Sequence, residues 1–80
     1  MNIGKINKIH IIGIGGMANS YLARFFLHHG KQVSGSDISS SVYTDQLAQF
    51  GVVLFKEQLA SNISNDIDLV IYTDAIPEDN

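Results

Sequence analysis

The sequence predicts an α/β domain built on a four-stranded parallel sheet, and three observations carry that prediction. Four short apolar runs recur along the 80 residues, separated by stretches too long for hairpin connections. The first run, Ile9-His10-Ile11-Ile12, breaks into Gly13-Ile14-Gly15-Gly16, and a helical pattern begins at once with Met17. The second run ends in Ser36-Asp37, which puts an acid at a strand tip.

Each element follows from local pattern. Lys8 to Ile12 is the first strand, continuously apolar except for His10, as expected when both faces of a strand are covered. Met17 to His29 reads as a helix, with Tyr21, Leu22, Phe25 and Phe26 as an apolar stripe and Ala18 and Leu27 beside it. His28 and His29 stand in its last turn, and Gly30 follows as the residue that ends it. Gln32 to Asp37 is the second strand with its polar tip. Ser39, Ser40 and Ser41 offer N-caps for a second helix carrying Val42, Tyr43, Leu47 and Phe50, and Gly51 stops it. Val52 to Phe55 is a third strand, a short helix is expected around Gln58 to Ser61, and Ile67 to Tyr72 is a fourth strand. Thr73 to Asn80 reads as a loop, because Pro77 excludes further pairing.

Parallel strands joined by right-handed crossovers give the expected spatial order 3-2-1-4, a three-layer Rossmann-like arrangement with its switch point between strands 1 and 4. The glycine loop, the Ser36-Asp37 tip and the Thr73-Asp74-Ala75 tip then fall at one sheet edge, around one crevice.

Composition narrows the function. Hydrophobic residues make up 45% of the chain, which suits a folded domain. A single small domain over residues 1–80 buries only roughly 60–65% of its unfolded surface, so its stability is marginal. The net charge of −3 and the scatter of Lys5, Lys8, Arg24, Lys31 and Lys56 argue against nucleic acid as a partner. Having no cysteine, the chain has neither disulfides nor thiolate chemistry. No apolar run approaches the roughly 20 residues of a membrane span. Met1 to Lys5 lacks the apolar core of a signal peptide, so Asn62-Ile63-Ser64 is read as an empty sequon and the protein as cytoplasmic.

Read as G-x-G-x-x-A, the loop puts Gly13 at a tight turn, Gly15 where a side chain would block a ligand, and Ala18 where helix and strand pack closely. The loop holds no Lys, Arg or acid, so any anion must be held by main-chain N–H groups and the positive helix end. A tight turn with no ligand is the plain alternative. Asp37, nineteen residues beyond Ala18, stands where a carboxylate accepts from ribose hydroxyls, or else caps the following turn. Ser20 either donates to an anion or simply starts a helix. No catalytic residue is identified. His28 and His29 point to different helix faces, and His10 reads as a packed, hydrogen-bonded histidine, so no metal site is expected. Glu78 and Asp79 read as a solvated loop.

Three stretches together resemble the N-terminal domain of the Mur ligases. That family is marked by His-x-x-Gly-Ile-Gly-Gly-x-Gly-Met-Ser, Val-Ser-Gly-Ser-Asp and Ser-Ser-Ala-Ile-Pro-Glu-Asp-Asn. Here they stand as His10 to Ser20, Val33 to Asp37 and Thr73 to Asn80. The resemblance is strongest to the branch acting on UDP-N-acetylmuramic acid and L-alanine, and runs from His10 to Asn80. It implies that Gly13, Gly15, Gly16, Met17, Ala18, Asn19 and Ser20 surround the diphosphate of a UDP-sugar. Ser36 and Asp37 meet the uridine ribose or base, and Thr73, Asp74, Ala75 and Ile76 line the other side. The complete bacterial enzyme uses ATP and Mg²⁺ to phosphorylate the substrate carboxylate, which the amino acid then attacks, extending a peptidoglycan precursor. Ala18, Asn19 and Asp74 depart from the family's glycine, methionine and serine. No G-x-x-x-x-G-K-[ST] occurs, so the chain is expected to be a fragment that depends on the parent ligase's remaining domains and has no activity alone. The rival reading is an NAD-binding module of a dehydrogenase or transport regulator. A third is a folded remnant used only for partner contact.

Overall fold

Branched and apolar residues at Ile9, Ile11 and Val33 suit the pleated surface of a sheet covered by helices, and they form the centre of the core. The structure, a computed structural model, describes residues 3–56, 63 and 65–72. A short 3-10 turn (Ile3–Lys5) leads into β1 (Lys8–Ile12), then α1 (Met17–His28), β2 (Gln32–Ser36), α2 (Val42–Gln49), β3 (Val53–Phe55) and β4 (Leu69–Ile71). Every strand pairing is parallel and the order is β3-β2-β1-β4, as expected. The short helix expected at Gln58 to Ser61 lies outside the described residues.

Register sorts the side chains by face. His10 pairs with Ser34 and Val70, and Ser34 with Val53, so these share one face. Ile9, Ile11, Val33, Leu54, Leu69 and Ile71 belong to the opposite face, and they pack with Ile14, Ala23, Phe26 and Leu47. His10 is buried, with Nδ1 2.8 Å from Ser34 Oγ and its ring tilted against Phe55. Burial pushes its pKa below the ordinary imidazole value, so the ring is neutral at pH 7.

The apolar stripe expected on α1 is corrected in part. Phe26 is buried and Leu22 and Leu27 pack against the core as expected, but Tyr21 and Phe25 are 58% and 45% exposed, and Ser20 and Ala23 complete the inward face of α1. Small side chains at Ser20 and Ala23 let the helix approach the sheet, which turns the neighbouring aromatics outward. On α2 only Thr44 and Leu47 are buried, while Val42 and Phe50 are exposed. Phe50 finds a partner nonetheless, since the Arg24 guanidinium lies 5.7 Å from its ring centroid and links the two helices.

The helix ends account for the loop lengths. Ser41 is the N-cap of α2 and forms a capping box with Thr44: the Thr44 amide donates to Ser41 Oγ at 3.2 Å, and the Ser41 amide to Thr44 Oγ1 at 2.8 Å. Both helices close in the same way. Gly30 and Gly51 take φ of +77° and +91°, and the next amides, Lys31 and Val52, reach back to Phe26 and Leu47. Val52 is thereby engaged in the cap, and β3 starts one residue later than expected.

β4 is shorter than expected, pairing with β1 at Ile9, His10 and Ile11. It is anchored at its start by Asp68, whose amide donates to the Lys8 carbonyl while its carboxylate accepts from the Asn7 and Lys8 amides at 2.7 and 3.0 Å. Those amide bonds, Asn7 first, hold the Asp68 carboxyl below the usual carboxylate range. Lys8 also pairs with Asp66.

Candidate functional site

The carboxyl ends of β1, β2 and β3 bring together the glycine loop, the Asp37 turn and Lys56. Gly13 leaves β1 with φ +79°, and its amide and that of Ile14 both donate to the Ser36 carbonyl, at 2.8 and 3.1 Å. The chain therefore stays tied to β2 for two residues beyond β1, and the Ile14 side chain fills the core over Gly35. The Gly16 amide returns to the Gly13 carbonyl at 3.2 Å. The Gly15 amide donates to Asp37 Oδ2 at 2.8 Å, and Asp37 Oδ1 accepts from the Ser39 amide at 3.0 Å.

Loop amides thus behave differently from the sequence expectation. Those of Gly13, Ile14, Gly15 and Gly16 are all bound within the protein. The amides of Met17, Ala18 and Asn19 stand in the first turn of α1, where the α-helical pattern supplies no acceptor. Gly16, the N-cap, contributes no side-chain cap, and no residue in the first turn is acidic. The first turn of α1 therefore carries the positive end of the helix dipole with no side chain among the described residues neutralising it.

Individual side chains fall on both sides of this turn. Met17 and Ala18 are exposed at its rim, so Ala18 is not the close-packing position the motif implies; Ser20 and Ala23 hold that place. Asn19 turns back, its Nδ2 donating to the Gly13 and Ile12 carbonyls at 3.2 and 3.4 Å. Ser20 is 2% exposed and donates its hydroxyl to the Met17 carbonyl at 2.8 Å, which directs it into the helix rather than toward an anion. Ser36 is fully buried and its hydroxyl has no hydrogen-bond partner. Its carbonyl, not its hydroxyl, organises the site. Of the two alternatives for Asp37, the carboxylate does cap the following turn. Thr73, Asp74, Ala75 and Ile76 lie outside the described residues.

Two contributors have no counterpart in the sequence reading. The N-cap of α2 braces the loop, with Ser41 Oγ donating to the Gly15 carbonyl at 3.3 Å and Thr44 packed against Gly15. Beside it lies a cleft of about 210 Å³ lined by Asp37, Ser39, Ser40, Thr44, Phe55 and Lys56. Lys56 reaches Ser40 Oγ at 2.9 Å and supplies positive charge to a cleft that also carries Asp37 and Asp45. The run of serines signals a cap, but nothing in its spacing signals a cleft. No group of three or more potential metal ligands occurs among the described residues, and no described helix is long and apolar enough to cross a membrane.

Comparison with known proteins now bears on this geometry. The model of the Mur ligase family, catalytic domain, matches residues 8–80. The chain belongs to the Mur ligase family. UDP-N-acetylmuramate–L-alanine ligase of Lachnospira eligens is 54% identical over 72 residues, covering 90% of this chain and 16% of that protein. The Clostridium kluyveri enzyme of the same name is 47% identical over 76 residues, covering 95% and 17%. Among solved structures, the crystal structure of UDP-N-acetylmuramate–alanine ligase from Thermotoga maritima superposes with a TM-score of 0.79 at 40% identity, covering 91% of this chain and 17% of that one. The chain spans about a sixth of the length of the curated relatives it matches. In this Mur ligase sequence, the first two motif stretches meet directly: Gly15 from one is hydrogen-bonded to Asp37 from the other.

Proposed function

We propose that this chain is the UDP-binding N-terminal segment of a UDP-N-acetylmuramate–L-alanine ligase. The feature carrying the reading is the first turn of α1, whose Met17, Ala18 and Asn19 amides have no intrahelical acceptor, at the carboxyl edge of a parallel sheet. Relatives bearing that enzyme's name at 47% and 54% identity supply the ligand class. The diphosphate sits against the first turn, held by main-chain donors and the helix dipole rather than by cations. Asn19 contributes by fixing the loop carbonyls, and Asp37, at the mouth of the adjoining cleft, faces the nucleoside. Gly13 and Gly16 shape the loop.

The chain's part in the reaction is to hold and orient the UDP end of the substrate, leaving the muramyl carboxylate to project away from the sheet edge. The sequence has no G-x-x-x-x-G-K-[ST] of the kind that cradles ATP phosphates. Activation of the carboxylate by ATP and capture by the amino acid belong to the remainder of the ligase.

Calorimetric titration with UDP-N-acetylmuramate and with NADH, side by side, tests the reading. Binding of the UDP-sugar with weaker or absent NADH binding is expected. Tighter binding of NADH would make this a dinucleotide module instead.

A further inference from the structure

Resting on the nucleotide reading above, the geometry of Asp37 adds a statement about which ligands the site accepts. Asp37 Oδ2 takes the Gly15 amide at 2.8 Å, and a Cβ built on Gly15 would sit 2.7 Å from that oxygen. The carboxylate thus covers both the N–H and the open face of the residue at the centre of the loop. Its other oxygen holds the Ser39 amide. The following peptide unit is held separately, since the Gly15 carbonyl accepts from Ser41 Oγ.

We propose that Asp37 is a built-in competitor for the glycine loop, and that it makes the site selective for nucleoside diphosphates over simple anions. An incoming phosphate meets a carboxylate already seated on the Gly15 donor, and two negative charges a few ångströms apart repel. To use that donor the ligand must displace Asp37, which then loses one charge-assisted hydrogen bond. A ligand carrying a ribose returns that bond, because its hydroxyls donate to the released oxygen. A bare pyrophosphate offers no such return.

The test measures affinities of the wild-type chain, Asp37→Asn and Asp37→Ala for UDP and for inorganic pyrophosphate. Removing the charge is expected to tighten pyrophosphate binding about tenfold, the size of a partly screened charge–charge term, and to lower the preference for UDP by at least that factor. In the wild type, the Gly15 amide resonance is expected to move on addition of UDP, a readout that holds even if a variant misfolds. An unchanged UDP-to-pyrophosphate preference in folded variants, or a Gly15 resonance that stays put at saturating UDP, overturns the competitor role and leaves the nucleotide reading intact. Absence of UDP binding by the folded wild type removes both.

Discussion

Gly15 is glycine because of its neighbours as much as any ligand. A methyl group there would meet Asp37 Oδ2 at 2.7 Å and Thr44 Cγ2 at 3.0 Å. Gly15→Ala is therefore expected to cost about 1–3 kcal/mol, the range for overfilling a packed site. Much of that loss should vanish in an Asp37→Ala background, as a double-mutant cycle by urea unfolding would show; equal losses in both backgrounds would contradict the contact. Ser36 gives the opposite case. Its buried hydroxyl lacks a partner, so Ser36→Ala is expected to leave thermal stability unchanged or raise it, whereas a drop of more than about 1 kcal/mol would mean a hidden hydrogen bond. The glycine pattern located this loop correctly in the sequence, but which amides remain open was not legible there. Orientation depends on Ser36 and Asp37, residues more than twenty positions away, and on the phase of α1. Within α1, Phe26 and Leu22 face the core as their spacing suggests, whereas Tyr21 and Phe25 read as inward for their bulk although the small Ser20 and Ala23 set the approach to the sheet.

Among the elements, the punctuation was the most readable feature. Gly30 and Gly51 end both helices with left-handed backbone, and a serine run starts α2, as residue type alone suggests. Which serine caps was decided by Thr44 three residues beyond Ser41, standing where a capping box more often has Glu or Gln. β4 owes its footing to a carboxylate that no motif signals. Asp68 is held below the usual carboxylate range by the Asn7 and Lys8 amides, so its stabilising effect is present above that range and fades as pH falls through the lowered value. The urea midpoint of the wild type is expected to fall between about pH 5 and pH 2 more steeply than that of Asp68→Asn. Parallel curves for the two proteins would show that the anchor contributes nothing.

At the scale of the whole molecule, the strand order follows from connection length and handedness, so the topology was legible before any contact was known. The topology puts the glycine loop and the Asp37 turn at one edge, and a hydrogen bond joins them. The match to the Mur ligase family extends over residues 8–80, and the chain covers 17% of a Clostridium kluyveri relative. The most direct measurement is a two-dimensional ¹H–¹⁵N NMR titration of this chain with UDP-N-acetylmuramate, read residue by residue. Saturable shifts centred on the Met17, Ala18 and Asn19 amides, with smaller ones at Asp37 and Lys56, are the predicted result. A folded chain whose first-turn amides do not respond, or whose shifts gather at another surface, would contradict main-chain capture of the diphosphate.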